Sequence, residues 1–253
     1  MNGIKYLSRN GKSLLAYANV EGHIQPGVLF LSGFMSTMNG QKALALEEFC
    51  RESGHSFVRF DYSGVSDSNT EGSVRNLKSW VEDSIDVFNN LTSGPQVIVG
   101  SSMGAFMMMH IAKRFPERVV GMVGVAPSFY FFDHAEKWRK ILSSNDNTET
   151  PELLEMINMD YFTGMDDLNL FQDKDSKLEL PCNLHILQGM KDDVVPWNET
   201  LSVVRDRFYD TTTIDLTLRK CGEHRMSRPE DLSILMNVVK MMCNKQYQKT
   251  ASL

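Results

Sequence analysis

Short apolar, β-branched runs alternate along the chain with longer stretches that carry their apolar residues on one helical face. The runs are Gly27–Leu31 (GVLFL), Ser56–Asp61 (SFVRFD), Gln96–Gly100 (QVIVG), Val119–Val125 (VVGMVGV), Asn183–Gln188 (NLHILQ) and Thr213–Leu218 (TIDLTL). A run without polar alternation is apolar on both faces, so such strands belong in a parallel sheet covered on both sides. The covering helices are expected at Gln41–Glu52, Val74–Asn89, Met103–Arg114, Asn198–Arg207 and Arg228–Lys245. The last has a clear entry signal: Ser227 precedes Pro229, Glu230 and Asp231 fill the first turn, and Leu232, Leu235, Val238 and Val239 follow at helical spacing. The pattern predicts an α/β protein with a mostly parallel central sheet and helices on both faces.

One segment breaks the alternation. Between Pro127 and Leu180 no strand-like run occurs, and the composition shifts to aromatic, methionine and acidic residues, including Phe129, Tyr130, Phe131, Phe132, Trp138, Tyr161, Phe162 and Phe171. The segment is too long for an ordinary connection, so it is expected to carry short helices. It reads as a cap, residues 127–180, inserted into a single domain spanning 1–253.

With 253 residues, 42% of them hydrophobic, the chain can bury one substantial core, which excludes a disordered or fibrous protein. A net charge of −6 with scattered Lys and Arg gives no basic field, so nucleic acid is not an expected partner. Cys50, Cys182, Cys221 and Cys243 are far apart without CxxC spacing, so they are expected to be buried reduced thiols, with no metal site. No stretch reaches the ~20 apolar residues of a membrane span. The amino end lacks an apolar signal core, so an intracellular, reducing compartment is expected and the sequons at Asn90 and Asn198 carry no weight.

The chemistry is concentrated at three loops. The pentad Gly100-Ser101-Ser102-Met103-Gly104 follows the strand QVIVG and opens the helix AFMMMHIAKRF. This is GxSxG at a strand-to-helix turn, where the flanking glycines leave room for a strained backbone and the central serine is presented above the sheet. Such a pentad is expected by chance about 0.1 times in a chain of this composition. Ser102 is therefore the candidate nucleophile. A serine hydroxyl needs a base to take its proton and a carboxylate to orient that base. In α/β-hydrolases the order is serine, acid, histidine, and the sequence supplies both partners downstream. After NLHILQ, the loop Gly189–Pro196 holds Asp192 and Asp193, of which the GxxDxVVP spacing favours Asp192. After TIDLTLRK comes His224, the one histidine in the loop before the last helix. His23 and His55 read as surface turn residues, His185 and His110 as packed, and His134 as part of the cap.

Acyl transfer also needs donors for the developing oxyanion, and in this fold backbone N–H groups supply them. Met103, after the nucleophile, is one; Phe34, in the loop after GVLFL, is the other by position. Asp61 and Gly64, in FDYSGVSDS, are read as structural turn residues. Around the nucleophile, Met107, Met108 and Met109 and the cap aromatics either line an apolar acyl slot or fill the core.

The stretches NGKSLLAY, MNGQKALALEEFC, RFDYSGV, GSSMG, GMKDDVVPW and LRKCGEHRM together resemble the abhydrolase-domain palmitoyl-protein thioesterases of mitochondria, also described as mycophenolic acid acyl-glucuronide esterases. A departure from many hydrolases is Ser32 before Gly33, where histidine is common. The resemblance implies an α/β-hydrolase fold with a helical cap, a Ser102–His224–Asp192 triad, and no cofactor. It also implies removal of S-palmitoyl groups from protein cysteines and hydrolysis of acyl-glucuronide esters, so the expected partner is a small-molecule or lipidated-protein acyl substrate. Residence is mitochondrial by resemblance, or cytoplasmic if the chain has no presequence. Two other readings stand beside this: a general short-chain carboxylesterase or lipase, and a ligand-binding protein on the same fold, which would have no need of a nucleophile, acid and base in order.

Overall fold

The computed structural model describes residues 3–143, 157–171 and 175–250, with side chains as far as residue 244. Eight strands form one sheet in the order β1-β2-β4-β3-β5-β6-β7-β8. The strands are β1 (Lys5–Arg9), β2 (Lys12–Val20), β3 (Ile24–Leu31), β4 (His55–Phe60), β5 (Gln96–Ser101), β6 (Val119–Val125), β7 (Leu184–Gly189) and β8 (Ile214–Arg219). β2 runs antiparallel to β1 and β4, and every other pairing is parallel. The six predicted strands are all present, and the amino-terminal hairpin turns at Gly11 with φ +72.

Helices α1 (Gln41–Ser53), α2 (Leu77–Leu91), α3 (Met103–Arg114), α4 (Phe131–Ser143), α5 (Trp197–Arg207) and α6 (Pro229–Thr250) connect and flank the strands. The expected start of α2 at Val74 is three residues early. Asn76 is extended, with φ −145, and its side chain accepts the Ser79 amide at 2.7 Å, so the cap fixes where the helix begins. At the other end, α6 extends past the predicted Lys245. α1 closes on Gly54 with φ +79, the left-handed conformation in which a side chain is strained.

Strand alternation divides the core in two. Val28, Phe30, Val97 and Val99 face α1 and α6, where they pack with Leu46, Cys50, Val239 and Met242. Leu29, Leu31 and Ile98 face the opposite side, with Trp80 and Phe88 of α2 and Phe106 of α3. Met107, Met108 and Met109 are buried in this second core, which settles the methionines in favour of packing.

The segment between β6 and β7 carries α4 and two short 3-10 turns, Met159–Phe162 and Met165–Leu168. The part of the expected cap at 144–156 and 172–174 lies outside the described residues. Leu178 makes a single parallel bridge to Phe208, so the segment's return to the sheet is tied by one backbone pairing. Arg207 fastens the same region from α5: its Nε donates to the Tyr130 hydroxyl at 3.0 Å and its guanidinium lies 4.8 Å from the centre of the Phe171 ring.

Two expectations about buried residues need correction. Cys50 and Cys243 are buried, but Cys182 is half-buried and Cys221 is exposed, because Cys221 lies on the turn after β8. His55 is not a surface residue. It opens β4, is 7% exposed, and its Nδ1 lies 2.8 Å from the Pro26 carbonyl.

Candidate active site

β5 ends at Ser101 and α3 begins at Met103, so Ser102 alone makes the turn, with φ 52 and ψ −118. This positive φ is costly for a side-chain-bearing residue, and the surroundings enforce it. A Cβ on Gly100 would lie 2.6 Å from the Gly104 carbonyl oxygen, and one on Gly104 would lie 2.1 Å from the Leu31 carbonyl oxygen. Both glycines are thus required by close backbone approach. The turn is held further by Ser102 N–H donating to Val125 O at 2.9 Å and Ser128 N–H donating to Ser102 O at 3.1 Å.

The structure brings Ser102, His224 and Asp192 into one hydrogen-bonded line. Ser102 Oγ is 3.1 Å from His224 Nε2, and His224 Nδ1 is 3.0 and 2.9 Å from the two oxygens of Asp192. With the ring proton on Nδ1 and donated to the carboxylate, Nε2 is left to accept from the serine hydroxyl. Asp192 is buried, whereas Asp193 is exposed, so geometry separates the two neighbouring acids. The Asp192 carboxyl is pushed up by burial, but the hydrogen bond from His224 and those from the Val195 and Val194 amides outweigh this and hold it below the usual carboxylate range.

The acid and histidine loops meet backbone to backbone. Lys191 N–H donates to Gly222 O at 2.9 Å, and a Cβ on Gly189 would lie 2.4 Å from that same oxygen. Sequence reasoning missed the residue that fixes the acid from below. Gln188, fully buried at the end of β7, donates from Nε2 to Asp192 Oδ2 and to Val195 O, each at 3.0 Å, while its Oε1 accepts from the Thr200 hydroxyl at 3.0 Å. Its signal in the sequence is a lone amide ending an apolar strand.

Gly33 packs against the elbow, since a Cβ there would lie 3.2 Å from Ser102 Cβ. The loop carrying Phe34 is therefore alongside the nucleophile, and Met103 N–H, in the first turn of α3, has no acceptor within its own helix. The Phe34 ring is the centre of an aromatic cluster: Trp138 at 5.4 Å, Trp80 and Tyr161 at 5.8 Å, and Phe131 at 6.0 Å between ring centroids. Three of these four partners come from the segment between β6 and β7, which places apolar surface next to the elbow.

Asp61 is fully buried and accepts the Met38 amide at 2.6 Å, and Gly64 turns with φ +75. Of the other histidines, His110 stacks edge-on to Phe106 at 4.6 Å and His185 lies 2.9 Å from the Thr217 hydroxyl. His134 lies between Ser128 and Glu199. Among the described residues no three His, Cys, Asp or Glu side chains gather as a metal site would require, and no helix is long and apolar enough to cross a membrane.

Residues 22–160, more than half of the chain, match the family model described as serine aminopeptidase, S33. The chain is 34% identical over 251 residues to the human mitochondrial palmitoyl-protein thioesterase ABHD10, covering 96% of this chain and 80% of that protein. The solved structure of the mouse alpha/beta hydrolase domain-containing protein 10 superposes with a TM-score of 0.83 at 31% identity, covering 96% of this chain and 99% of that one. A hydrolase structure from Agrobacterium vitis superposes with a TM-score of 0.77 at 26% identity, covering 96% and 98%.

Proposed function

The chain belongs to the α/β-hydrolase family of these proteins and is a hydrolase; on that premise we propose that it cleaves long-chain acyl thioesters and esters by a Ser102–His224–Asp192 triad. The observation that carries this reading is the continuous line from Asp192 through His224 to Ser102 at a strained elbow. His224 Nε2 takes the Ser102 proton as Oγ attacks the acyl carbon. The Phe34 and Met103 amides hold the oxyanion. As the tetrahedral adduct collapses, the bond to the leaving sulfur or oxygen breaks and His224 returns the proton to it, leaving an acyl-serine that water hydrolyses by the same steps. Asp192 keeps the ring in the productive tautomer and stabilises the imidazolium.

The segment 127–180 acts as the cap, and its aromatic cluster around Phe34 receives the acyl chain. S-palmitoyl cysteine in proteins is the substrate class, with acyl-glucuronide esters as a second ester substrate. The name of these relatives, mitochondrial palmitoyl-protein thioesterases, supports the first of these and a mitochondrial residence. Steady-state hydrolysis of a palmitoyl-cysteine thioester reporter and an acetyl ester, with wild type and Ser102→Ala, tests the reading. The expected result is preference for the palmitoyl thioester and a fall in kcat of about 10⁴ or more in the variant. Activity confined to the acetyl ester would replace depalmitoylation by short-chain esterase action; turnover surviving in Ser102→Ala would remove the triad.

A further inference from the structure

A cavity of about 400 Å³ adjoins the elbow and has no part in the steps above. Lys42, Arg225, Ser36, Thr37 and Ser227 line it, together with Ser101 and Gly33. Its lining residues neighbour the triad: Ser101 immediately precedes Ser102, Arg225 immediately follows His224, and Gly33 packs on Ser102 Cβ. Phe30 and Ala43, also in its wall, belong to the core beneath α1 and α6. The Phe34 aromatic cluster packs with the core on the other face of the sheet. The two sides of the nucleophile therefore differ in chemistry, apolar on one and polar on the other.

Among the described residues, the polar side carries two cations, Lys42 and Arg225, that no carboxylate contacts directly. Elsewhere the buried cations are matched, Arg9 with Asp83 and Arg59 with Glu47. Lys42 instead donates to two neutral acceptors, the Arg225 carbonyl and the Ser227 hydroxyl. Among the described residues neither Lys42 nor Arg225 forms an ion pair with a carboxylate. Burial, with the nearby Arg225 charge adding to it and the Asp231 carboxylate only partly offsetting it, pushes the Lys42 ammonium down to about 8. α1 also starts at this cavity with neither a capping side chain nor an acid in its first turn, so the backbone adds to the positive potential. A half-buried ammonium beside a guanidinium, with no carboxylate in direct contact, favours the entry of an anion.

We infer that this cavity receives a carboxylate or phosphate borne by the leaving group, and that Lys42 and Arg225 select substrates by the charge of the alcohol or thiol that departs. The inference rests on Ser102 as nucleophile, with the acyl chain on the aromatic side. Two matched pairs separate the sources of the anion while keeping one acyl chain: the 1-O-acyl ester of glucuronate against that of glucose, and the acyl thioester of phosphopantetheine against that of pantetheine. In wild type, kcat/KM is expected to favour the charged member of at least one pair by roughly tenfold. That ratio should fall to within about twofold in Lys42→Met, which keeps the aliphatic stem, and in the exposed-site variant Arg225→Ala. A wild-type ratio near one for both pairs, or a preference that persists in both variants, overturns the inference. If wild type cleaves none of the four, the palmitoyl-cysteine reporter decides the proposed function, and calorimetric titration of the protein with glucuronate and inorganic phosphate decides this point alone. Saturable binding weakened about tenfold in Lys42→Met upholds the anion site, and absence of binding overturns it.

Discussion

Each oxygen of Asp192 has its own support: Oδ1 accepts the Val194 and Val195 amides, and Oδ2 accepts from Gln188, while both face His224 Nδ1. Replacing the carboxylate by an amide keeps the shape and removes the acceptor charge that fixes the tautomer. Asp192→Asn is expected to lower kcat by about 10³ to 10⁴ with little change in KM, read by steady-state kinetics. A second residue-scale consequence concerns His110. Its Nε2 is shut off from solvent without a hydrogen-bond partner, and burial pushes the ring down to about 4. Between pH 6.5 and about 4 the unfolded chain therefore binds a proton that the folded chain refuses, so this site removes stability as pH falls through that window. The loss should be about 2 kcal/mol between pH 7 and pH 5. Urea unfolding at the two pH values, compared with His110→Phe, checks it: the pH difference should shrink in the variant by that amount.

At the scale of elements, the site depends on how closely α3 docks against β3. Gly104 sits in the first turn of α3 with no room for a methyl group, because the atom it would meet at 2.1 Å is the backbone oxygen of Leu31 and cannot rotate away. Gly104→Ala is expected to destabilise by about 3 kcal/mol or more, measured as a lower denaturation midpoint with an unchanged slope. The glycines of the pentad were legible as a motif, but the distances that make them obligatory arise only when strand and helix meet. Element boundaries were legible where the pattern of apolar residues changes sharply, as at Met103–Arg114, which forms the predicted helix residue for residue. They were less so at Val74, because the apolar pattern continues through Asn76 and only the side-chain cap stops the helix there. His55 misled for a related reason: a polar residue beside a glycine reads as a turn, yet its ring hydrogen-bonds to the chain entering β3 and is buried by that pairing.

For the whole molecule, the sheet separates two chemistries around one serine: aromatic side chains from the segment between β6 and β7 on one side, the cations Lys42 and Arg225 between α1 and the His224 loop on the other. Trp138 touches both Phe34 and Phe131, at 5.4 and 5.6 Å, so its removal opens the apolar side without reaching the triad. Trp138→Ala is expected to lower kcat/KM for a palmitoyl thioester by about tenfold or more, the cost of lost apolar contact, while an acetyl ester changes by less than about twofold. Equal losses on both substrates would instead mean that the cluster supports the loop of Phe34 and not the acyl chain.

Periodicity and motif order by themselves determined the α/β class, the six central strands, and the identity of Ser102, Asp192 and His224 as candidates, since these depend on local pattern and on the order of residues along the chain. Tertiary structure alone decided that Gln188 supports the acid, that the three methionines are buried in the core, and that Lys42 and Arg225 meet in one cavity 183 residues apart. Those outcomes depend on the approach of distant loops, fixed by sheet register and by glycines that let backbones touch, which no window along the chain contains.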